Sequence, residues 1–161
     1  MAAYARGPAD GAGLAAERTT TFPAPAPEFA RLLGLGARGP LATVRALEKG
    51  LPYEALVRFQ RATGWSATAL SELLLIPART LHRRREEGHL TFEESDRLAR
   101  AAGTFARALA LFEGDAEAAR RWMEQAQPAL GGLRPVDLAR SDVGTREVEA
   151  LIERLEHGVL A

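Results

Sequence analysis

The 161-residue chain contains no cysteine, which excludes disulfides, thiolate metal ligands and cysteine nucleophiles and suits a reducing cytoplasm. Lysine is nearly as scarce: Lys49 stands alone against twenty arginines. No window approaches the roughly 18 uninterrupted apolar residues of a membrane span. The N-terminus shows no basic cluster followed by an apolar stretch, so no secretory leader is expected and the predicted location is cytoplasmic. No strand-like alternation of apolar and polar residues occurs anywhere, and the expected fold class is all-α.

Catalytic constellations are absent as well. His82, His89 and His157 are scattered and do not pair at metal-ligand spacing. The carboxylate pairs Glu93/Glu94 and Glu147/Glu149 fall on helix surfaces or helix starts, where such charge is expected. Gly34-Leu35-Gly36-Ala37-Arg38-Gly39 matches the dinucleotide-binding fingerprint by letter, but Phe29-Ala30-Arg31-Leu32-Leu33 before it promises no strand of a parallel sheet. Without a convergent nucleophile, base and oxyanion site, neither an enzyme nor a cofactor is expected.

Net charge is zero, which argues against indiscriminate binding to polyanions. Its distribution is uneven. Residues 1–103 hold 14 basic and 11 acidic side chains, against 7 and 10 in residues 104–161. A basic front and an acidic back point to two tasks.

Apolar residues make up 47% of the chain, ample for a core. They are unevenly placed. Residues 1–27 are rich in Ala, Pro and Gly, end in Pro23-Ala24-Pro25-Ala26-Pro27, and read as a flexible arm. Helical spacing begins with Leu41, Val44 and Leu47 and continues through Leu56 and Phe59 to a stop at Gly64. Ser66 is placed to cap a helix carrying Leu70, Leu73 and Leu74, and the next helix runs from near Pro77 to Gly88. Thr91-Phe92-Glu93-Glu94 is a capping box, opening a stripe of Leu98, Ala102, Phe105, Leu109 and Phe112. Gly103 within that stripe marks the predicted seam between a domain at 28–103 and one at 104–161. Asp115 caps a helix bearing Ala119, Trp122 and Met123, with Trp122 expected in the core. A final helix is predicted from Thr145, carrying Val148, Leu151, Ile152 and Leu155 and stopping at Gly158.

The segment Leu70-Ser71-Glu72-Leu73-Leu74-Leu75-Ile76-Pro77-Ala78-Arg79-Thr80-Leu81 can be laid onto a helix-turn-helix. Small Ser71 suits the helix crossing, and Leu70, Leu74, Ile76 and Leu81 suit the shared core. Two positions depart: Leu75 stands where the turn usually has glycine, and Arg84 stands at a usually apolar core position, where its stem can snorkel with the head in solvent or on a phosphate. No acid interrupts Arg79 to Arg85. On this alignment Arg79, His82 and Arg83 face base edges, while Thr80 and Arg85 suit phosphates.

From Gly131-Gly132-Leu133-Arg134-Pro135-Val136-Asp137-Leu138 the chain resembles the toxin-binding domain of the Xre/MbcA/ParS antitoxins. Ala119-Arg120-Arg121-Trp122-Met123 before it extends the likeness, as do Gly144-Thr145-Arg146-Glu147-Val148 and Leu155-Glu156-His157-Gly158 after it. Upstream, Arg79-Thr80-Leu81-His82-Arg83-Arg84 and Ser95-Asp96-Arg97-Leu98 resemble that family's Xre-like helix-turn-helix region. The likeness spans about residues 40–161, and its C-terminal motifs are the more specific. It implies an N-terminal helix-turn-helix bundle followed by a small helical toxin-binding domain.

It further implies an antitoxin of a type II toxin–antitoxin system. The partner would be a RES-domain toxin that attacks NAD or uses it for ADP-ribosyl transfer, and the antitoxin would obstruct its NAD pocket. The N-terminal domain would bind operator DNA of its own operon, with the protein a homodimer in a larger assembly. In that setting Arg146 and Arg154, two helical turns apart, are candidates for acidic groups on the toxin. His157 and Gly158 would lead a short apolar end, Val159-Leu160-Ala161, into the pocket. Two rivals remain open here: a stand-alone helix-turn-helix transcriptional regulator whose C-terminal domain only dimerises, and a toxin-binding module whose helix-turn-helix is purely structural.

Overall fold

The computed structural model describes residues 28–36 and 39–158; the predicted arm at 1–27 lies outside the described residues, as do Val159, Leu160 and Ala161. The helices are α1 (Glu28–Leu32), α2 (Pro40–Glu48), α3 (Tyr53–Thr63), α4 (Ala67–Leu74), α5 (Ala78–Glu87), α6 (Phe92–Leu111), α7 (Ala116–Glu124), α8 (Pro135–Leu138) and α9 (Asp142–Glu156), with a 3-10 turn at Pro128–Leu130. Among the described residues there is no strand, only the isolated antiparallel bridges Pro52–His89 and Gln127–Leu133. The fold is all-α.

Local chemistry accounts for most boundaries. The Ser66 hydroxyl accepts the Ala69 N–H at 3.1 Å, and Asp115 accepts those of Glu117 and Ala118 at 3.0 and 2.9 Å. At α6 both bonds of the capping box form: Glu94 N–H donates to Thr91 Oγ1 and Thr91 N–H donates to the Glu94 carboxylate. Gly64 and Gly88 end α3 and α5 in the left-handed conformation, with φ of 70° and 80°.

Several expectations are corrected. Residues 28–32, for which no element is predicted, form α1, whose Ala30 is buried. The last helix starts at Asp142, because Ser141, not Thr145, caps it by accepting the Gly144 N–H at 3.0 Å. Of Leu41, Val44 and Leu47, only Leu47 packs, half-buried, against the core. Leu41 and Val44 are 77% and 50% exposed, while Thr43, at 7%, is the buried residue of α2, which packs against α6. Trp122 is only half-buried, tilted against Phe112 with centroids 6.4 Å apart. Helix α7 turns the smaller Ala119 and Met123 inward, which lets it lie close to α6.

The core tryptophan is Trp65, in the three-residue link between α3 and α4. It meets Phe59 and Phe105 edge-on at 5.9 and 5.3 Å, and those two rings meet at 6.2 Å. Burying each phenylalanine stabilises the fold by roughly 2–3 kcal/mol. Helix α6 is the axis of the molecule. It runs unbroken through Gly103 and packs on α1, α2, α3, α4, α7 and α9, and a single apolar cluster extends from Leu33 to Ile152.

Candidate functional site

Two surfaces carry the predicted site residues. The first is built by α4, the turn at Leu75–Pro77 and α5. Leu70, Leu74, Ile76 and Leu81 are all buried, as a helix-turn-helix core requires. The turn closes by two backbone bonds, Ile76 N–H to Ser71 O at 3.0 Å and Leu75 N–H to Glu72 O at 3.3 Å, the arrangement of a Schellman cap. Ser71 adds its hydroxyl, donating to Ile76 O at 2.6 Å. Burial of Ile76 therefore forces Leu75 into the left-handed region at φ 53°, ψ 40°, where a side chain costs about 1–2 kcal/mol. The helix-turn-helix geometry survives without glycine, with Leu75 itself half in solvent.

On α5, Arg79, His82, Arg83 and Arg85 are exposed and Thr80 is half-buried. The arginine run is not a bare positive strip. Glu86 lies 3.7 Å from His82 Nδ1, and Glu87 lies 3.7 Å from Arg83 Nε. Among the described residues, Arg79 and Arg85 have no carboxylate within 4 Å.

Arg84 differs from expectation. Its head is neither in solvent nor free for a phosphate: Nε donates to Glu94 at 2.7 Å and Nη1 to Glu87 at 2.6 Å, with the Arg84 side chain 14% and the Glu94 side chain 6% exposed. An arginine at an apolar core position is tolerable because the capping-box glutamate of α6 neutralises it. Burial pushes the Glu94 carboxyl upward, but the bonds from Arg84 and from the Thr91 backbone outweigh it and hold the group below the ordinary glutamate value. The hydrogen bonds to Glu94 and to Glu87 raise the Arg84 guanidinium above its ordinary value. This pair sets α5 against α6.

The second surface is the outer side of α8 and α9. Helix α9 buries Val148, Leu151 and Ile152, and Thr145 with them. Its opposite face exposes Glu147, Ala150, Glu153, Arg154 and His157 around a shallow depression of about 530 Å³. Arg146 does not line it; its guanidinium bonds Asp142 at 2.6 Å in the first turn. His157 Nδ1 sits 2.7 Å from Glu153 O at the helix end, and Gly158 follows at φ 68°. The structure thus brings Arg154 and His157 together and leaves Arg146 apart.

Three contacts that sequence reasoning missed tie the helix-turn-helix region to the C-terminal helices. The Trp65 indole N–H donates to Glu124 at 2.8 Å, Arg120 donates to Gly64 O at 3.3 Å, and Arg140 reaches Glu72 of α4 at 3.5 Å while also pairing with Asp137 at 3.0 Å. Trp65 carried no periodic signal. Its one local clue was its place between a helix-ending glycine and a helix-capping serine.

Comparison with known proteins gives these surfaces a context. Residues 42–103 match the family "Antitoxin Xre-like helix-turn-helix domain", and residues 107–158 match "Antitoxin Xre/MbcA/ParS C-terminal toxin-binding domain". The protein named "Antitoxin Xre" from Yersinia enterocolitica is 35% identical over 135 residues, covering 81% of this chain and 89% of its own length. Its namesake from Photorhabdus laumondii is 32% identical over 119 residues, covering 71% and 78% of the two chains. The one from Pseudomonas putida is 39% identical over 85 residues, covering 52% and 53%.

The chain belongs to the Xre/MbcA/ParS antitoxins.

Membership places this antitoxin among regulatory proteins of toxin–antitoxin systems, with a toxin as partner of the C-terminal domain and DNA as the ligand class of a helix-turn-helix. The two matched segments meet within α6, which packs on α4 of the first surface and on α9 of the second. No helix among the described residues is long and apolar enough to cross a membrane.

Proposed function

We propose that this antitoxin inhibits a RES-domain toxin by covering its NAD site with the exposed face and end of α9, and that it represses its own operon through α5. The reading rests on one observation: within the segment matched as a toxin-binding domain, α9 buries one face and leaves Glu147, Ala150, Glu153, Arg154 and His157 uncovered at its end. Arg154 is the candidate partner for acidic groups on the toxin, His157 adds a hydrogen-bonding group beside it, and Val159, Leu160 and Ala161 after Gly158 are the proposed plug of the cavity. Arg146 acts at the rim of the same contact, after exchanging Asp142 for an acid on the toxin. Inhibition is steric.

Repression follows from two copies of α5 in successive major grooves of a palindromic operator, which requires a homodimer and half-sites one or two turns apart. Arg79, His82 and Arg83 contact base edges, and Thr80 and Arg85 contact phosphates.

Co-purification with a RES-type enzyme encoded alongside tests the partner. NAD consumption by that enzyme is then measured with the full chain and with a chain ending at Gly158. Equal inhibition by both forms overturns the plug, and failure of the full chain to associate overturns the partner. Binding to the upstream region of the operon between 50 and 200 mM salt tests the DNA half; a groove reader with several phosphate contacts weakens by orders of magnitude over about that range.

A further inference from the structure

The acidic end of α5 is misplaced for helix stability. Glu86 and Glu87 occupy the last turn, where the negative end of the helix dipole disfavours carboxylates. Glu86 stands four residues after His82 and Glu87 four after Arg83, the weaker order for an ion pair on a helix, while Glu87 also accepts from Arg84 at 2.6 Å. Both are exposed or nearly so, so neither is needed to fill the core. Of the four arginines of α5, Arg83 and Arg84 are engaged by Glu87 and His82 is faced by Glu86, leaving Arg79 and Arg85 without a carboxylate neighbour among the described residues. A helix built only for charge attraction to DNA would not carry its own competitors.

We infer that Glu86 and Glu87 are specificity-determining acids of the DNA-facing helix, which penalise binding to any duplex that does not offer them a partner. The inference rests on the DNA reading above. Over a phosphate backbone each carboxylate repels, and it holds Arg83 or His82 away from the counterion release that drives sequence-independent binding. Over the right base step the same carboxylate accepts a hydrogen bond from an exocyclic amino group, cytosine N4 being the best matched in the major groove, and Arg83 is presented by Glu87 in one fixed pose. Discrimination then comes from the repulsive element as much as from the attractive one. The operator is accordingly expected to offer a cytosine amino group beneath the end of α5.

The test uses the full chain and three proteins: wild type, Glu86→Gln, and Glu86→Gln with Glu87→Gln. Glutamine keeps a hydrogen bond to Arg84, and Glu86 does not touch Arg84 at all, so the single variant separates the charge effect from the α5–α6 clamp. Binding is measured to the operon's upstream duplex and to a shuffled duplex of equal length, across a salt series. Binding to the shuffled duplex is expected to strengthen about threefold in the single variant and about tenfold in the double, with the salt slope steepening by up to about one per residue, while the operator-to-shuffled ratio falls. Unchanged binding to the shuffled duplex, or an unchanged ratio, overturns the inference and leaves the DNA reading standing. If no duplex binds to any of the three proteins, the DNA reading fails and takes this inference with it. Binding by the variants alone, with wild type silent on both duplexes, overturns it, because the acids would then exclude DNA rather than select among sequences.

Discussion

Trp65 and Glu124 are 59 residues apart in sequence and 2.8 Å apart in space, the indole N–H of one donating to the carboxylate of the other. This bond joins the link before the helix-turn-helix to the end of α7, and beneath it Phe105 of α6 meets the Trp65 ring edge-on. The two matched segments therefore share one core.

Trp65→Ala is expected to cost about 3–4 kcal/mol, as for large aromatic truncations in a core, and Glu124→Gln no more than about 1 kcal/mol. Urea unfolding followed by tryptophan fluorescence and by helical circular dichroism should give one coincident transition in the wild type. A chain ending at residue 103 exposes the apolar face of α6 and should lack cooperative unfolding; two separated transitions in the full chain would contradict the shared core.

Arg84 and Glu94 make stability depend on acid. Because the folded-state value of Glu94 is depressed, its contribution is present above the ordinary glutamate value of 4.5 and is lost as pH falls through the folded-state value. Glu94→Gln should remove that part of the acid dependence and lower stability at neutral pH by about 2 kcal/mol, allowing for the partial exposure of Arg84. Parallel denaturation curves at pH 3 to 7 for both proteins check this, and identical pH slopes would refute it.

Gly144 and Gly103 predict opposite outcomes for the same substitution. A Cβ at Gly144 would lie 2.1 Å from the Leu138 carbonyl oxygen, where α9 crosses the end of α8, so Gly144→Ala should destabilise by about 2–4 kcal/mol and displace the first turn of α9. A Cβ at Gly103 meets nothing within 4 Å in the middle of α6, so Gly103→Ala should stabilise by about 0.5–1 kcal/mol. Melting temperatures of the two variants decide both.

Leu75 holds a strained turn. Leu75→Gly should leave stability unchanged or raise it by up to about 1 kcal/mol, since relief of the left-handed conformation offsets the entropy gained by the unfolded chain. Leu75→Val, branched at Cβ, should lose about 1 kcal/mol. Equal stability of the two variants would show that the backbone relaxes away from φ 53°.

Helix ends were legible because their determinants are local. Ser66, Thr91/Glu94, Asp115, Gly64 and Gly88 all act within a few residues of themselves, and each does what its chemistry implies. The helix-turn-helix was legible through Ser71, Ile76 and Leu81 despite Leu75. The start of α9 was misread because Ser141 and Thr145 are both capping residues, and only the packing of Gly144 on Leu138 O selects the earlier one. The face of α2 was misread because two apolar residues at helical spacing do not say whether a neighbouring helix is there to cover them.

On its own, the amino-acid order determined an all-helical chain with a helix-turn-helix in front and a family-specific segment behind, since helix propensity, capping and periodicity are short-range effects. Tertiary structure alone decided that Arg84 is clamped by Glu94, that Trp65 rather than Trp122 fills the centre, and that Thr43 turns inward while Leu41 faces solvent. Each of those outcomes depends on which helix lies across from which, and that is settled by burial and charge pairing between residues far apart in the chain.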